Sequence, residues 1–139
     1  MMRNVAVEPL VLDTEALSLL ARGRSDDTLA LILAADKIGS PAVFPTIILS
    51  EILTGKPYDA SVWRIVNQLT AVDLTVQIAA QAGRLRERAE SVRRKKRDLT
   101  VDAIVAATAI LWAPSLLITG DVDDLRLLTE GSDVKVISV

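Results

Sequence analysis

Short apolar runs alternate with amphipathic stretches along the whole chain, and this alternation restricts the fold more than any other feature of the sequence. Pro9-Leu10-Val11-Leu12 reads as the end of a buried strand, and Ala42-Val43-Phe44 and Ala71-Val72-Asp73-Leu74 as short extended segments. Ser115 to Thr119 reads as a second central strand and Val134 to Val139 as the last. Helical spacing fills the intervals. One helix runs from Asp13 through Glu15, Leu17 and Leu20, and a second opens at Ser25-Asp26-Asp27, passes Leu29, Ile32, Leu33 and Ile38, and ends at Gly39-Ser40-Pro41. Pro45 is placed to open a third, carrying Ile47, Ile48, Glu51 and Ile52 and stopping at Gly55-Lys56-Pro57. Val62, Ile65, Val66 and Leu69 mark a fourth, and Thr75 caps a fifth whose apolar stripe is Ile78, Ala82, Leu85, Ala89 and Val92. Leu99 to Trp112 is apolar nearly all round, which requires a central position, and Ala113-Pro114 breaks it. A short helix over Asp123 to Thr129 follows the Gly120-Asp121 turn. Elements in this order predict a three-layer α/β/α domain whose parallel sheet is covered on both faces and joined by right-handed crossovers.

With 139 residues and no repeat or linker, a single domain over 1–139 is expected. The chain has no histidine and no cysteine, which removes imidazole chemistry, thiol nucleophiles, disulfides and cysteine-based zinc sites. Half the residues are hydrophobic, yet no uncharged apolar run approaches the ~18 residues that span a bilayer. The start Met-Met-Arg-Asn-Val lacks the apolar stretch of a signal peptide. A cytoplasmic protein with no membrane partner is the expectation, and its chemistry has to run on carboxylates.

Four acids stand in informative contexts: Asp13 in Val-Leu-Asp-Thr, Glu51 in Leu-Ser-Glu-Ile, Asp102 in Thr-Val-Asp-Ala and Asp121 in Thr-Gly-Asp-Val. Asp13 and Asp121 each follow an apolar strand. An aspartate there caps a helix, stabilising it by about 1 kcal/mol, and also lies where open parallel sheets place ligands; the two roles are compatible. Glu51 and Asp102 interrupt apolar helical stretches, where a buried unpaired carboxylate is costly and a hard divalent cation would remove the cost. The alternatives are a first-turn acid favoured by the helix dipole for Asp102 and a surface position for Glu51. Asp124, one helical turn after Asp121, faces the same site, whereas Asp123 faces solvent. Thr119 and Ser50 offer hydroxyls to a ligand or to the local backbone.

The net charge of -2 conceals an uneven distribution. Half of all lysines and arginines fall between Arg84 and Arg97, with Arg93-Arg94-Lys95-Lys96-Arg97 the densest run. Arg84 and Arg88 lie one turn apart on the exposed side of their helix. Such a run is either a solvated connection or a polyanion contact, and its position just before Asp102 would bring a nucleic acid to the acidic site. The only aromatics are Phe44, Tyr58, Trp63 and Trp112, too few for a platform that stacks successive bases.

The ordered set Val11-Leu12-Asp13-Thr14, Ser50-Glu51-Ile52, Thr100 to Ala109 around Asp102, and Leu117-Ile118-Thr119-Gly120-Asp121-Val122-Asp123-Asp124-Leu125 resembles a PIN domain over the whole chain. More narrowly, it resembles the VapC toxins of bacterial and archaeal toxin–antitoxin pairs. The resemblance implies a Mg²⁺- or Mn²⁺-dependent ribonuclease acting on RNA, a homodimer, and silencing by a cognate VapB antitoxin. It also implies that Asp13, Glu51, Asp102 and Asp121 are the four catalytic, metal-binding acids. Asp124-Leu125 stands where the family often has Asp-Phe, which adds Asp124 to the metal set.

The chemistry this suggests is in-line attack of metal-activated water on a phosphodiester, with Asp13, Asp102 and Asp121 as the main ligands and Glu51 binding a second ion or orienting the water. Two alternatives differ in class. A haloacid-dehalogenase-like phosphatase would use Leu12-Asp13-Thr14-Glu15, with Glu15 where its acid-base aspartate belongs, but leaves Glu51 without a role and lacks the lysine it needs before the last acids. A PIN-like module that binds RNA or protein without turnover is the other. Leu17, Leu20, Leu29 and Leu33 on the first two helices either pack in the core or receive a partner helix.

Overall fold

In the computed structural model, which describes residues 8–92 and 98–139, five strands form one all-parallel sheet. They are β1 (Leu10–Leu12), β2 (Ala42–Pro45), β3 (Thr70–Val72), β4 (Ser115–Thr119) and β5 (Val134–Ser138), in the spatial order β3-β2-β1-β4-β5. The chain moves outward from β1 through β2 to β3, returns to pair β4 against β1, and then moves outward the other way. β1 is aligned with β4 by Leu10↔Leu116, Val11↔Leu117 and Leu12↔Ile118. Val11, Leu12, Leu117 and Ile118 have no exposed surface, as expected of strands covered on both faces.

The reversal beside β1 also sorts the helices. Right-handed crossovers put connections that travel in opposite directions on opposite faces of a sheet. One group is α1 (Thr14–Ala21), α2 (Asp26–Lys37), α3 (Leu49–Ile52) and α4 (Asp59–Val66), with α1 touching the other three. The second is α5 (Val76–Val92), α6 (Thr100–Leu111) and α7 (Val122–Leu128), packed against one another. The result is the three-layer α/β/α domain expected. Ala103 to Ala109 of α6 are buried without interruption, which accounts for its lack of a polar face. No described helix is long and apolar enough to cross a membrane.

The expected boundaries shift in two places. Pro45, read as a helix opener, is extended (φ -70°, ψ 129°) and ends β2 opposite Val72; the turn after it is a 3₁₀ segment over Thr46–Ile48, leaving α3 only four residues long. The third strand starts at Thr70, and Asp73 and Leu74 lie beyond its end. In both places strand pairing, Val43↔Thr70 through Pro45↔Val72, sets the limits.

The two apolar helices divide. Leu17 and Leu20 of α1 belong to the core, whereas Leu29 and Leu33 of α2 are 43% and 54% exposed. They border a groove of about 430 Å³ between α2 and α4, whose floor includes Leu20, Ile32, Ile65 and Leu69.

Candidate active site

Asp13 follows β1 and Asp121 lies just past β4, the two strands between which the sheet changes direction. In open parallel sheets this is where a crevice opens, because the connections leaving the two strands diverge to opposite faces. The main chain is tied across the gap: Asp13 N–H donates to Ile118 O at 3.1 Å. Asp13 caps α1, its Oδ1 accepting from Ala16 N at 2.9 Å. Its Oδ2 accepts the Thr119 hydroxyl and, at 3.3 Å, the Gly120 N–H. Thr119 Oγ1 in turn accepts from Asp121 N at 2.9 Å. One oxygen of the Asp13 carboxylate therefore caps α1 while the other is held by the end of β4.

Asp13, Glu51, Asp102 and Asp121 all line one cleft of about 660 Å³. Glu51 comes from the short α3 and is held by Thr14, whose hydroxyl donates to its Oε1 at 2.6 Å. Asp102 stands in the first turn of α6. Asp124, buried at the start of α7, joins Asp102 and Asp121 in a triad with one carboxylate oxygen from each, all within 4.8 Å. Among the described residues no other such group of three occurs, so Asp13 and Glu51 flank the triad without belonging to it. Asp123 is exposed. Of the two hydroxyls, Thr119 serves Asp13, and Ser50 donates to Ile47 O at 2.6 Å within its own turn.

Burial differs from the distribution inferred from the helical context. Glu51 is exposed and Asp102 half-buried, whereas Asp13 and Asp124 are the buried acids. The four-residue α3 turns Ile52 into the core and leaves Glu51 on its outer side. Burial pushes the Asp13 carboxyl above the usual carboxylate range, only partly opposed by hydrogen bonds from Thr119, Ala16 and Gly120, and the Glu15 carboxylate raises it further. The donors in the cleft are carboxylates with no imidazole or thiolate, a set that suits a hard, oxygen-seeking ion such as Mg²⁺ or Mn²⁺.

Two cleft residues were not picked out as site residues from the sequence. Glu15 lies across Gly120 so closely that a Cβ built there would stand 1.5 Å from Glu15 Oε2. Arg22 is the one cation among the described residues that line the cleft. A signal for both exists in the sequence, because Glu15, Ser18 and Arg22 recur at helical spacing along α1 and share its cleft-facing side.

The basic residues separate. The run Arg93, Arg94, Lys95, Lys96 and Arg97 lies outside the described residues, between the end of α5 and the start of α6. Arg84 is exposed and bonds Gln81 Oε1 at 2.6 Å. Arg88 reaches back to the carbonyls of Leu128 and Glu130, at 3.2 and 3.4 Å, and so closes the C-terminus of α7. Arg86, passed over in the sequence, donates to Thr100 Oγ1 at 3.1 Å at the start of α6, two residues before Asp102.

Fold and cleft together describe a parallel α/β domain that gathers carboxylates where its sheet reverses direction. Residues 10–129 match the PIN domain family, and the chain belongs to that family. No curated protein matches it significantly. Among solved structures it is similar to a chain in the complex of VapBC2 from Rickettsia felis with a promoter DNA fragment, at 15% identity and TM-score 0.72, over 93% of this chain and 97% of that one. It is also similar to a chain in DNA-bound VapBC from Salmonella typhimurium, at 14% identity and TM-score 0.68, over 95% and 98% of the two chains. A chain of FitAB bound to an IR36 DNA fragment matches at 19% identity and TM-score 0.64, over 93% and 94%. At such identities the likeness is one of fold.

Proposed function

We propose that this protein is a Mg²⁺- or Mn²⁺-dependent endoribonuclease, the toxin of a VapBC-type pair that acts in the cytoplasm. The observation that carries the reading is the convergence of Asp13, Glu51, Asp102 and Asp121, from four separate elements, on one cleft at the reversal of the sheet. Asp102, Asp121 and Asp124 would hold the ion, with Asp13 at its edge. When bound, the metal supplies an activated water for in-line hydrolysis of a phosphodiester. The chain's own part is to fix the carboxylates: Thr119 and Gly120 hold Asp13, and Thr14 holds Glu51 within reach of a water or a second ion. The cations Arg93 to Arg97, close in sequence to Asp102, would draw the RNA backbone toward the cleft, with Arg84 as an outlying contact.

Homodimerisation and silencing by a VapB-type antitoxin complete the proposal. What supports the partner is the likeness to chains of VapBC and FitAB complexes, together with the exposed leucines of α2 beside the α2–α4 groove. An amphipathic partner helix is the occupant suited to such a groove.

The test is cleavage of total RNA by the purified protein, with mapping of the new ends. Hydrolysis by activated water leaves 5′-phosphate and 3′-hydroxyl termini, requires Mg²⁺ or Mn²⁺, and is lost in Asp13→Asn and Asp102→Asn. Cleavage that persists in EDTA, or products ending in 2′,3′-cyclic phosphate, would sink the metal-hydrolysis reading. Growth inhibition that survives those substitutions but needs Arg93 to Arg97 would favour a binding module instead. Co-expression of the adjacent upstream gene is expected to restore growth.

A further inference from the structure

The acidic cleft continues into a second groove, of about 430 Å³, that shares Thr14, Ser18, Arg22 and Glu51 with it and ends at Tyr58. Arg22, the C-cap of α1, and Tyr58, just before α4, meet there: Arg22 Nε donates to the Tyr58 hydroxyl at 3.4 Å. This is a long bond that uses one of five guanidinium donors, and it is the only hydrogen bond of the Arg22 side chain among the described residues. Tyr58 is 41% exposed.

Its position is fixed from the next residue. Asp59 is buried, and its carboxylate collects Thr54 N at 3.0 Å, the Thr54 hydroxyl at 2.9 Å and Gly55 N at 2.7 Å. The loop from Thr54 to Asp59 is thus closed by a network that leaves the aromatic ring standing at the groove without taking part itself. An exposed ring on a braced loop gives a stacking surface with little ordering left to do on binding.

We propose that Arg22 and Tyr58 form a nucleotide subsite for single-stranded RNA, with one phosphate flanking the cleaved bond on the Arg22 guanidinium and the adjoining base on the Tyr58 ring. The proposal rests on the ribonuclease reading above and adds to it where the substrate strand leaves the metal centre. The described lining of the cleft carries five carboxylates, which repel a polyanion, and the Arg22 guanidinium, which favours passage of the strand on its side. Guanidinium and aromatic ring side by side suit a phosphate and an unstacked base. One such pair reads a single nucleotide, in keeping with a chain that has so few aromatics.

The test is steady-state cleavage of a single-stranded RNA oligonucleotide carrying the wild-type cleavage site, with Arg22→Gln, Tyr58→Leu, Tyr58→Phe and, as a charge control on the far edge strand, Lys135→Gln. Loss of a stacked base or of a phosphate contact is expected to raise KM by about 5- to 30-fold, with kcat within about threefold of wild type for Arg22→Gln and Tyr58→Leu. Tyr58→Phe, which keeps the ring, and Lys135→Gln stay close to wild type. An abasic residue moved stepwise along the substrate should, at one position, raise the wild-type KM to that of Tyr58→Leu and add nothing in that variant. Unchanged KM in Arg22→Gln and Tyr58→Leu overturns the subsite, as does a Tyr58→Phe defect equal to that of Tyr58→Leu, or a Lys135→Gln defect equal to that of Arg22→Gln. Should wild type cleave no RNA, the nuclease reading fails by itself. Fluorescence anisotropy of a 5′-fluorescein mixed-sequence single-stranded RNA then decides the subsite: weaker binding by both variants supports it and equal binding refutes it.

Discussion

Thr119 donates a hydroxyl hydrogen bond to Asp13, a residue 106 positions earlier in the chain, and accepts one from the main-chain N–H of Asp121. This one side chain joins the strand ends on both sides of the cleft. Thr119→Val keeps the shape but leaves a buried carboxylate short of a donor and an N–H short of an acceptor, at a cost of about 1–3 kcal/mol for each group left unmade. The expected result is a Tm several degrees lower, together with weaker RNA cleavage, while Thr119→Ser retains most of both. A Thr119→Val protein that melts and cleaves like wild type would show that the bridge does not matter.

The triad makes a claim about Asp124 that can be separated from the role of Glu51. Asp102→Asn, Asp121→Asn and Asp124→Asn are each expected to weaken Mn²⁺ binding by about tenfold or more, by analogy with losses at metal-site supporting groups. Glu51→Gln, on an exposed residue tied to Thr14, should affect cleavage more than metal affinity. The measurement is the metal-induced rise in Tm as a function of Mn²⁺ concentration. Equal affinity in Asp124→Asn and wild type would remove Asp124 from the ion's surroundings.

Gly120 does not have the positive φ that would by itself demand glycine. An alanine there conflicts only with the end of the Glu15 side chain, which can swing away. Gly120→Ala is therefore expected to change stability by no more than about 1 kcal/mol while pushing Glu15 out of the cleft. It should weaken Mg²⁺-dependent activity several-fold, as Glu15→Gln does, and the double variant should be no worse than either single one. Additive losses would mean that the two residues act separately.

Acid sensitivity should come in part from the Thr54–Asp59 loop. Hydrogen bonds from Thr54 and Gly55 hold the Asp59 carboxyl below the usual carboxylate range. A carboxylate with a lowered native pKa stabilises the fold above its unfolded pKa, and that contribution disappears as pH falls through the native value. Asp59→Ala should thus lower Tm most near neutral pH, with the difference from wild type shrinking at the acid end of the profile. A constant difference at all pH values would show that the loss is one of packing.

Legibility from sequence followed the range of the interactions. The apolar periods of α1, α5 and α6 mark their buried faces, since Ile78, Ala82, Leu85 and Ala89 are all core residues and Ala103 to Ala109 have no exposed face; only Val92, expected to continue the α5 stripe, is exposed, because it lies on the last turn of the helix. Asp13 and Asp121 are legible as strand-end residues because a helix cap and a sheet crevice make the same local demand, although only Asp13 caps its helix through its side chain. The one-turn spacing puts Asp124 on the side of Asp121, but that Asp124 and not Asp13 forms the triad with Asp102 and Asp121 depends on how α6 and α7 cross. A surface position for Glu51 is one of two readings open in the sequence, and the shortness of α3 after the 3₁₀ turn decides for it. Arg22 and Tyr58 are ordinary surface residues in one dimension, and only the contact of α1 with α4 brings them together.

The strand order has a consequence for biosynthesis. Translation delivers Asp13 and Glu51 early, but the crevice they border is not formed until β4 settles against β1, and the triad needs Asp124 as well. No nascent fragment short of that residue holds the carboxylate set. The carboxylate set is therefore incomplete for most of the chain's synthesis, because the strand that flanks β1 on the side of the crevice is the fourth of the five to be made.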